Sequence, residues 1–431
     1  MKSTEVIEVR AWGERVGAVA LDPHLGYYAF AYAPEWRRSG ADLAPLTMPL
    51  DGPEVFIFPN LPEITYYRLP GMLADALPDA FGNALIDAWM ARQGIARDEI
   101  TTLDRLAYMG KRGVGCLEFH PERGSHRESS APLEMQSLVE EARKLIEGHL
   151  SVDQEAQAAL ANILRVGTSA GGARAKAVIS WNPQTNVIRS GQFDAAPGFE
   201  QWLLKFDGVG QDYELGTGAD YGRIEYAYHL MAKQAGIVMM PCRLLEENGR
   251  AHFMTRRFDR DIVEGGTVKH HMQTLCAMDH LDFRQRGTHS YAQLFLAITR
   301  LKLGDGALEQ AFRRMCFNVI ARNCDDHTKN FSFRLKQKDE WELAPAYDIT
   351  HAHNPKGEWT YQHLLSVNGK FNEISRDDLL EEGDRFLVRR PKDLLKEVRA
   401  AIDNWTAHAK EAELGQATTE RVAGDFHLIQ A

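Results

Sequence analysis

The sequence predicts an α+β protein, β-rich at its N-terminal end and mainly helical at its C-terminal end. Three observations predict it. Apolar and polar residues alternate in short runs near the start, and an Asn-Gly hairpin signal with neighbouring strands marks a second β-containing block. From Tyr291 onward apolar residues recur at three and four positions. At 431 residues and 44% hydrophobic, the chain has material for two or three domains with buried cores, which excludes a disordered or fibrous protein. Sixty acidic against fifty basic side chains give a net charge of −10, so direct nucleic-acid binding has no help from the overall charge. The five cysteines (Cys116, Cys242, Cys276, Cys316, Cys324) show no Cys-x-x-Cys pair and no disulfide or zinc spacing, which points to a reduced, cytoplasmic protein. Polarity breaks every few residues at the N-terminus, and no apolar run approaches the roughly twenty residues that span a bilayer. Neither membrane insertion nor export is expected.

Taken in order, 6–10 and 16–21 alternate around the polar turn Trp12-Gly13-Glu14-Arg15, and 27–32 is aromatic and strand-like. A helix is expected over 81–92, ended by Gly94, and a strand over 111–120. Residues 121–133 collect Pro, Gly, Ser and charge, a loop and a boundary. Helices fit 133–147 and 152–166, followed by a glycine-rich loop over 167–172. Strands at 176–181 and 202–206 precede a helix from about 222 to 235. Strands over 242–246 and 252–257 flank Asn248-Gly249, the strongest short-range hairpin signal. Beyond Tyr291 the helical pattern is interrupted by β-like segments at 331–335 and 341–343. There is no internal repeat and no low-complexity tract.

The strongest constellation is Asp325-Asp326-His327-Thr328-Lys329-Asn330, with Asp348 eighteen positions after Asn330 in Leu-Ala-Pro-Ala-Tyr-Asp. Phosphoryl transfer needs a carboxylate to orient and deprotonate the attacking hydroxyl, and an Asn and an Asp to hold magnesium on the phosphates. An Asp with an Asn five positions later is the kinase catalytic-loop spacing, and an Asp soon after a β-hairpin fits the metal role. The alternative for the hexapeptide alone is a helix C-terminus with turn-forming Asp and Asn. Lys205 ends the apolar strand Trp-Leu-Leu-Lys-Phe. In a kinase such a lysine holds the α/β-phosphates and pairs with a helix glutamate, here Glu225; otherwise it is a strand-end lysine reaching water.

The loop from Gly167 to Lys176 admits two incompatible chemistries. Gly167-Thr-Ser169-Ala-Gly171 satisfies G-x-S-x-G, the nucleophile elbow of a serine hydrolase, but that elbow needs a strand before it and a helix after, and here the order is reversed. A phosphate-cradling loop closed by Lys176 suits the strand that follows, although the Walker A spacing is absent. A purely structural glycine loop is the third reading. Arg256-Arg257-Phe258-Asp259-Arg260 follows the hairpin where a nucleotide kinase would present hinge backbone to adenine. His270, His271, His280 and His289 show no metal-ligand spacing, and most of them read as ordinary surface or loop residues.

With the glycine loop, Lys205, the Arg-Phe-Asp-Arg hinge, the D-x-H-x-K-N loop and the L-A-P-x-Y-D segment in this order, the chain resembles the HipA family of bacterial serine/threonine kinases, the toxin halves of HipBA toxin–antitoxin pairs. The opening Val9–Gly17 hairpin and the Leu-Pro-Asp-x-x-Gly-Asn segment at 77–83 look like the family's N-terminal subdomain, so the likeness runs nearly the full length. The resemblance implies a two-lobed kinase-like fold: a β-rich subdomain over 1–125, a kinase N-lobe over 126–258 and a helical C-lobe over 259–431. It implies ATP and Mg2+ as cofactors, with Asp325 as catalytic base, Asn330 and Asp348 as metal ligands and Lys205 on the phosphates. The nucleotide site would further take Gly171, Gly172, Ala173, Arg174, Ala175, Lys176, His327, Lys329 and Tyr347, with Arg256, Arg257 and Phe258 meeting adenine through backbone. The family's inhibitory autophosphorylation serine, in a pattern like S-x-x-G-A-Q-x-K, falls on Ser169, although Arg174 replaces the glutamine.

A phosphate on Ser169 would bring negative charge to where nucleotide phosphates belong, and repulsion would expel the loop. Similar kinases act on aminoacyl-tRNA synthetases, typically the glutamyl enzyme, stalling translation and growth. The resemblance also implies a small HipB-like helix-turn-helix antitoxin that supplies the contact with operator DNA, and no membrane partner. A non-catalytic nucleotide-binding corepressor that scaffolds such an antitoxin is the competing reading; the intact Asp325, Asn330 and Asp348 set argues against it.

Overall fold

Antiparallel pairing across the two-residue turn Trp12-Gly13, both with left-handed backbone (φ 52° and 83°), starts the first sheet, because such a turn matches the natural strand twist. The computed structural model describes residues 4–123, 176–207, 220–427 and 429, apart from Asp79, Phe193 and Gly265. The helices expected over 133–147 and 152–166 and the glycine loop up to Ala175 lie outside the described residues. The chain divides into two units. Of the described residues, one unit takes those within Met1–Gly210, Arg256–His280 and Arg334–Glu340; the other takes those within Gln211–Thr255, Leu281–Phe333 and Trp341–Ala431.

In the first unit, β1 (Val6–Ala11), β2 (Glu14–Leu21), β3 (Tyr28–Tyr32) and β4 (Leu117–His120) form an antiparallel sheet in the order β3-β2-β1-β4. Ile7, Val9 and Ala11 are buried while their neighbours are not, the period-two pattern of a half-covered sheet. The strand expected over 111–120 forms only from Leu117. Gly115 stands at φ +79° and its N–H is held by Asp259 at 2.8 Å, so this stretch turns instead of extending. A second group comprises β5 (Lys176–Trp181), β6 (Ile188–Ser190) and β7 (Glu200–Lys205), ordered β6-β5-β7.

Residues far along the chain complete this unit. Thr274 donates to the Asp75 carboxylate through both N–H (2.7 Å) and hydroxyl (3.0 Å), and the Tyr66 hydroxyl donates to the Cys276 carbonyl at 3.0 Å. His271 Nε2 meets the Leu43 carbonyl at 2.9 Å. The Gly71 N–H donates to His280 Nε2 at 3.2 Å, and a Cβ at Gly71 would stand 2.7 Å from the Ala277 carbonyl oxygen, so the close approach of these segments requires glycine. The expectation that most of these four histidines are ordinary surface or loop residues is therefore corrected: His270, His271 and His289 are buried, and each pairs with a carboxylate or a backbone carbonyl.

In the second unit, β8 (Cys242–Glu247) and β9 (Arg250–Arg256) form the hairpin expected at Asn248-Gly249, with φ 45° and 76° at the turn. Helix Tyr221–Gln234 lies on it so closely that a Cβ at Gly222 would stand 1.9 Å from the Ala251 carbonyl oxygen. Helix Asp305–Ile320 is buried along its last ten residues and packs against helix Pro391–Asp403. Its C-terminal end delivers the loop that carries Asp325. A short parallel pairing of His289–Ser290 with Leu365–Ser366 was not foreseeable from local pattern. All five cysteines are buried, and none forms a disulfide. Among the described residues no helix is long and apolar enough to cross a membrane.

Candidate active site

Arg322, at φ 54°, breaks the helix direction after Ile320. The next residues are pinned by a parallel bridge, with the Cys324 N–H on the Ala352 carbonyl (2.9 Å) and the Ala352 N–H on the Arg322 carbonyl (3.1 Å). Asp325 then presents its side chain, 48% exposed. Thr328–Asn330 form a 3₁₀ turn held from outside by the Thr328 hydroxyl on the Leu281 carbonyl at 2.7 Å. Asn330 Nδ2 donates back to the Asp325 carbonyl at 2.7 Å. That bond uses the amide nitrogen, so Oδ1 is the atom left to meet a cation.

The second acidic segment is joined to this loop. The Tyr347 hydroxyl donates to the Lys329 carbonyl at 2.7 Å and also bonds the Ser332 hydroxyl. Asn323 Nδ2 reaches the Asp348 carbonyl at 3.5 Å. Asp348 has left-handed backbone (φ 52°), which Asp tolerates better than most residues. Asp325, Asn330, Lys329, Tyr347 and Asp348 are thereby brought together within one unit.

Asp326 is the residue that sequence reasoning passed over. It is 1% exposed, and its carboxylate accepts from the Tyr291 hydroxyl (2.8 Å), His363 Nδ1 (3.0 Å) and the Leu364 N–H (2.7 Å). Asn318 Nδ2 donates in turn to the Tyr291 hydroxyl at 2.9 Å, and Asn323 Nδ2 to Asn318 Oδ1 at 3.0 Å. On the other side His363 Nε2 faces the Cys324 sulfur at 3.9 Å. Burial alone would lower the His363 pKa, but the Cys324 sulfur and the Asp326 carboxylate overcome it and raise it to about 10. Burial would likewise raise that of Cys324, yet His363 and His353 bring it down to about 7. The two groups shift in opposite directions because each favours the charged form of the other. Fully buried, Cys324 is no nucleophile; Cys324 and Asp326 instead brace Asp325 from both sides.

Phe283 is a second residue without a sequence signal. The His327 ring meets it edge-on at 5.3 Å between centroids, and Lys329 Nζ lies 5.0 Å from its centre. It therefore packs against two of the loop's polar side chains.

The first unit carries the predicted phosphate lysines. The β5–β7 register sets Lys176 directly opposite Lys205, with Lys176 buried and Lys205 half-buried. At the predicted hinge, the Arg257 N–H donates to the Gln201 carbonyl at 3.0 Å and the Phe258 carbonyl accepts from Arg334 at 2.7 Å. Two backbone groups of that hinge are thus already engaged. Arg257 grips Asp259 with two bonds (2.9 and 2.6 Å) and Arg260 adds a third at 2.8 Å. Burial would raise the Asp259 pKa, but the two guanidinium groups hold it far below the usual carboxylate range. Arg256 is the more exposed neighbour, 3.9 Å from Glu200. Glu225 is buried on helix Tyr221–Gln234 of the second unit. Ser169 and residues 171–175 lie outside the described residues.

Among the described residues no three His, Cys, Asp or Glu side chains are grouped to hold a metal by themselves. The amide oxygen of Asn330 and the carboxylate of Asp348 are hard-oxygen groups, the donor type that magnesium takes beside phosphate and water.

The fold is the α+β arrangement expected from the sequence, and comparison places it. A chain of the Shewanella oneidensis MR-1 toxin–antitoxin complex of HipA, HipB and operator DNA matches 97% of this chain and 94% of its own length with a TM-score of 0.65 at 19% identity. The Helicobacter pylori proinflammatory kinase CtkA matches 59% of this chain and 90% of its own length at 13% identity, with a TM-score of 0.35. No curated protein matches the sequence. The HipA N-terminal domain family matches residues 7–120 and the HipA-like C-terminal domain family residues 168–411. The chain belongs to the HipA family.

Proposed function

We propose that this protein is an ATP- and magnesium-dependent serine/threonine protein kinase that acts as the toxin of a toxin–antitoxin pair. The observation that carries the reading is the joining of the Asp325–Asn330 loop to Asp348 through the Tyr347–Lys329 bond. This bond supports a reading in which the half-exposed Asp325 carboxylate, the Asn330 amide oxygen and the Asp348 carboxylate supply the parts phosphoryl transfer needs. Magnesium on Asn330 and Asp348 would neutralise phosphate charge. Asp325 orients the attacking hydroxyl and takes its proton. Lys176 and Lys205 hold phosphate oxygens, with Glu225 as the partner of Lys205, and His327, Lys329 and Tyr347 border the nucleotide, whose adenine meets the hinge at Arg256–Phe258. The domain division is that of the resemblance, with boundaries near 125 and 258.

Family membership supports the finer reading. The protein substrate is an aminoacyl-tRNA synthetase of the glutamyl type, and autophosphorylation of Ser169, in the loop of Gly171, Gly172, Ala173, Arg174 and Ala175, silences the enzyme. A HipB-like helix-turn-helix antitoxin binds the chain and carries it to operator DNA. The Shewanella complex, which holds HipA, HipB and operator DNA, supports that assignment, and the acidic net charge agrees with DNA contact made mainly through the antitoxin.

The test is intact-mass spectrometry of purified wild type and Asp325→Ala before and after incubation with ATP and magnesium, with peptide mapping of added phosphate. Phosphate on wild-type Ser169 and none on the variant is the expected result. Measurable ATP binding with no phosphate on either protein, before or after incubation, would overturn the kinase reading in favour of a nucleotide-binding scaffold.

A further inference from the structure

The first unit contains a cavity of about 730 Å³, a size usual for small-molecule sites. It is lined from β5 and β6 (Ser180, Arg189, Ser190), from the hairpin Arg260–Val263 and Gly266–Lys269, and from Trp12 and Lys111 of the N-terminal part. Its residues come from this unit alone, and it includes none of the predicted phosphoryl-transfer residues. Ser180 faces Gln201 in the β5–β7 register, four residues along from the Lys176–Lys205 pair, roughly 13 Å at the rise of a strand.

The charge on its walls is unbalanced. Four cations, Lys111, Arg189, Arg260 and Lys269, line it against two carboxylates, Glu118 and Asp194. Lys269 Nζ meets Glu118 at 3.2 Å, and Arg260 spends its guanidinium on Asp259 and on the carbonyls of Gly113 and Gly115. Arg189 lies over the Phe199 ring at 4.5 Å, and its buried Nε meets no hydrogen-bond partner among the described residues. Burial, and then the nearby Arg260, hold Lys269 below the ordinary lysine range despite Glu118. With Arg260 and Lys269 paired, Arg189 and Lys111 are the lining cations left to a ligand; a buried donor without an acceptor is costly, and a ligand carrying an oxyanion relieves it.

We propose that this cavity binds a small anionic metabolite through phosphate or carboxylate groups, with Arg189 and Lys111 as its main contacts and Trp12 as a wall. The site is independent of the kinase reading. The experiment uses the full chain saturated with magnesium and a non-hydrolysable ATP analogue, so that any nucleotide site is occupied. Calorimetric titration with pyrophosphate and, separately, with citrate is compared for wild type and for Arg189→Gln and Lys111→Gln. Saturable binding of at least one probe, weakened at least tenfold in Arg189→Gln with affinity for the ATP analogue unchanged, is the expected result. Pyrophosphate alone would mark a phosphate ligand, and citrate alone a carboxylate one. Absence of binding by both probes at millimolar concentration, or binding that neither variant alters, would overturn the proposal. Lys111 bears an exposed side chain, so its variant keeps the test valid should Arg189→Gln fold poorly.

Discussion

Asn330 reaches back across its own turn to donate to the carbonyl of Asp325 at 2.7 Å. The residue proposed to hold the cation therefore also sets the backbone of the residue proposed to take the proton. Replacing Asn330 with Ala should remove both functions together. Replacing it with Asp should restore a cation ligand but lose the donated bond. We expect phosphate incorporation from ATP to be abolished in Asn330→Ala and to stay at least tenfold below wild type in Asn330→Asp at saturating magnesium.

The two adjacent aspartates should separate cleanly. Asp325 is half-exposed, so Asp325→Ala should leave the denaturation midpoint close to wild type while abolishing phosphate incorporation. Asp326 is buried with three hydrogen bonds and a charged histidine beside it. Asp326→Ala should cost about 3–5 kcal/mol of stability, because it leaves His363 buried without its carboxylate. Denaturant titration of both variants checks the contrast.

Tyr347→Phe deletes only a hydroxyl, the one that joins the Lys329 carbonyl to the segment of Asp348. A stability loss of about 1–2 kcal/mol is expected from the orphaned polar groups. The decrease in kcat should be larger than that alone would suggest, with KM for the protein substrate little changed.

Acid should weaken the first unit through His280. Burial lowers its pKa from 6.5 to about 4, and the Gly71 N–H occupies the nitrogen that a proton would need. Its folded value lies below its unfolded one, so its contribution is intact above 6.5, declines as pH falls from there and is lost by about 4. The denaturation midpoint of wild type should drop more between pH 7 and pH 5 than that of His280→Phe.

Two glycines at the second position of a helix should respond oppositely to alanine. At Gly222 the new Cβ would meet the Ala251 carbonyl at 1.9 Å, and at Gly306 it would meet nothing within 4 Å. Gly222→Ala should destabilise by at least about 1–3 kcal/mol, whereas Gly306→Ala should be neutral or stabilise by up to about 1 kcal/mol. Thermal melting of the two variants decides it.

Local pattern made much of this fold legible. The Asn248-Gly249 hairpin, the opening strands and helix Tyr221–Gln234 fall within a residue or two of expectation, because each is specified by neighbours in sequence. Spacing alone also pointed to Asp325, Asn330 and Asp348. What the sequence hid are contacts between distant segments. Asp326 meets Tyr291, 35 positions away, and His363, 37 positions away. Phe283 has no motif at all. The strand expected over 111–116 failed for the same reason, since Asp259, 144 positions downstream, captures Gly115. His271 became a core residue because its partner, the Leu43 carbonyl, lies 228 positions away.

The first unit draws on three stretches of chain, the last ending at Glu340, and the second runs on past it. A ribosome that has made the first 255 residues has released neither unit in full, since the segments carrying Thr274, Cys276 and His280 are still unmade. The N-terminal strands must wait, partly uncovered, until residues 256–280 emerge to close over them. Asp325 and Asp348 come later still. A product interrupted before Asp348 therefore lacks a residue of the proposed site, whatever part of the first unit it has closed.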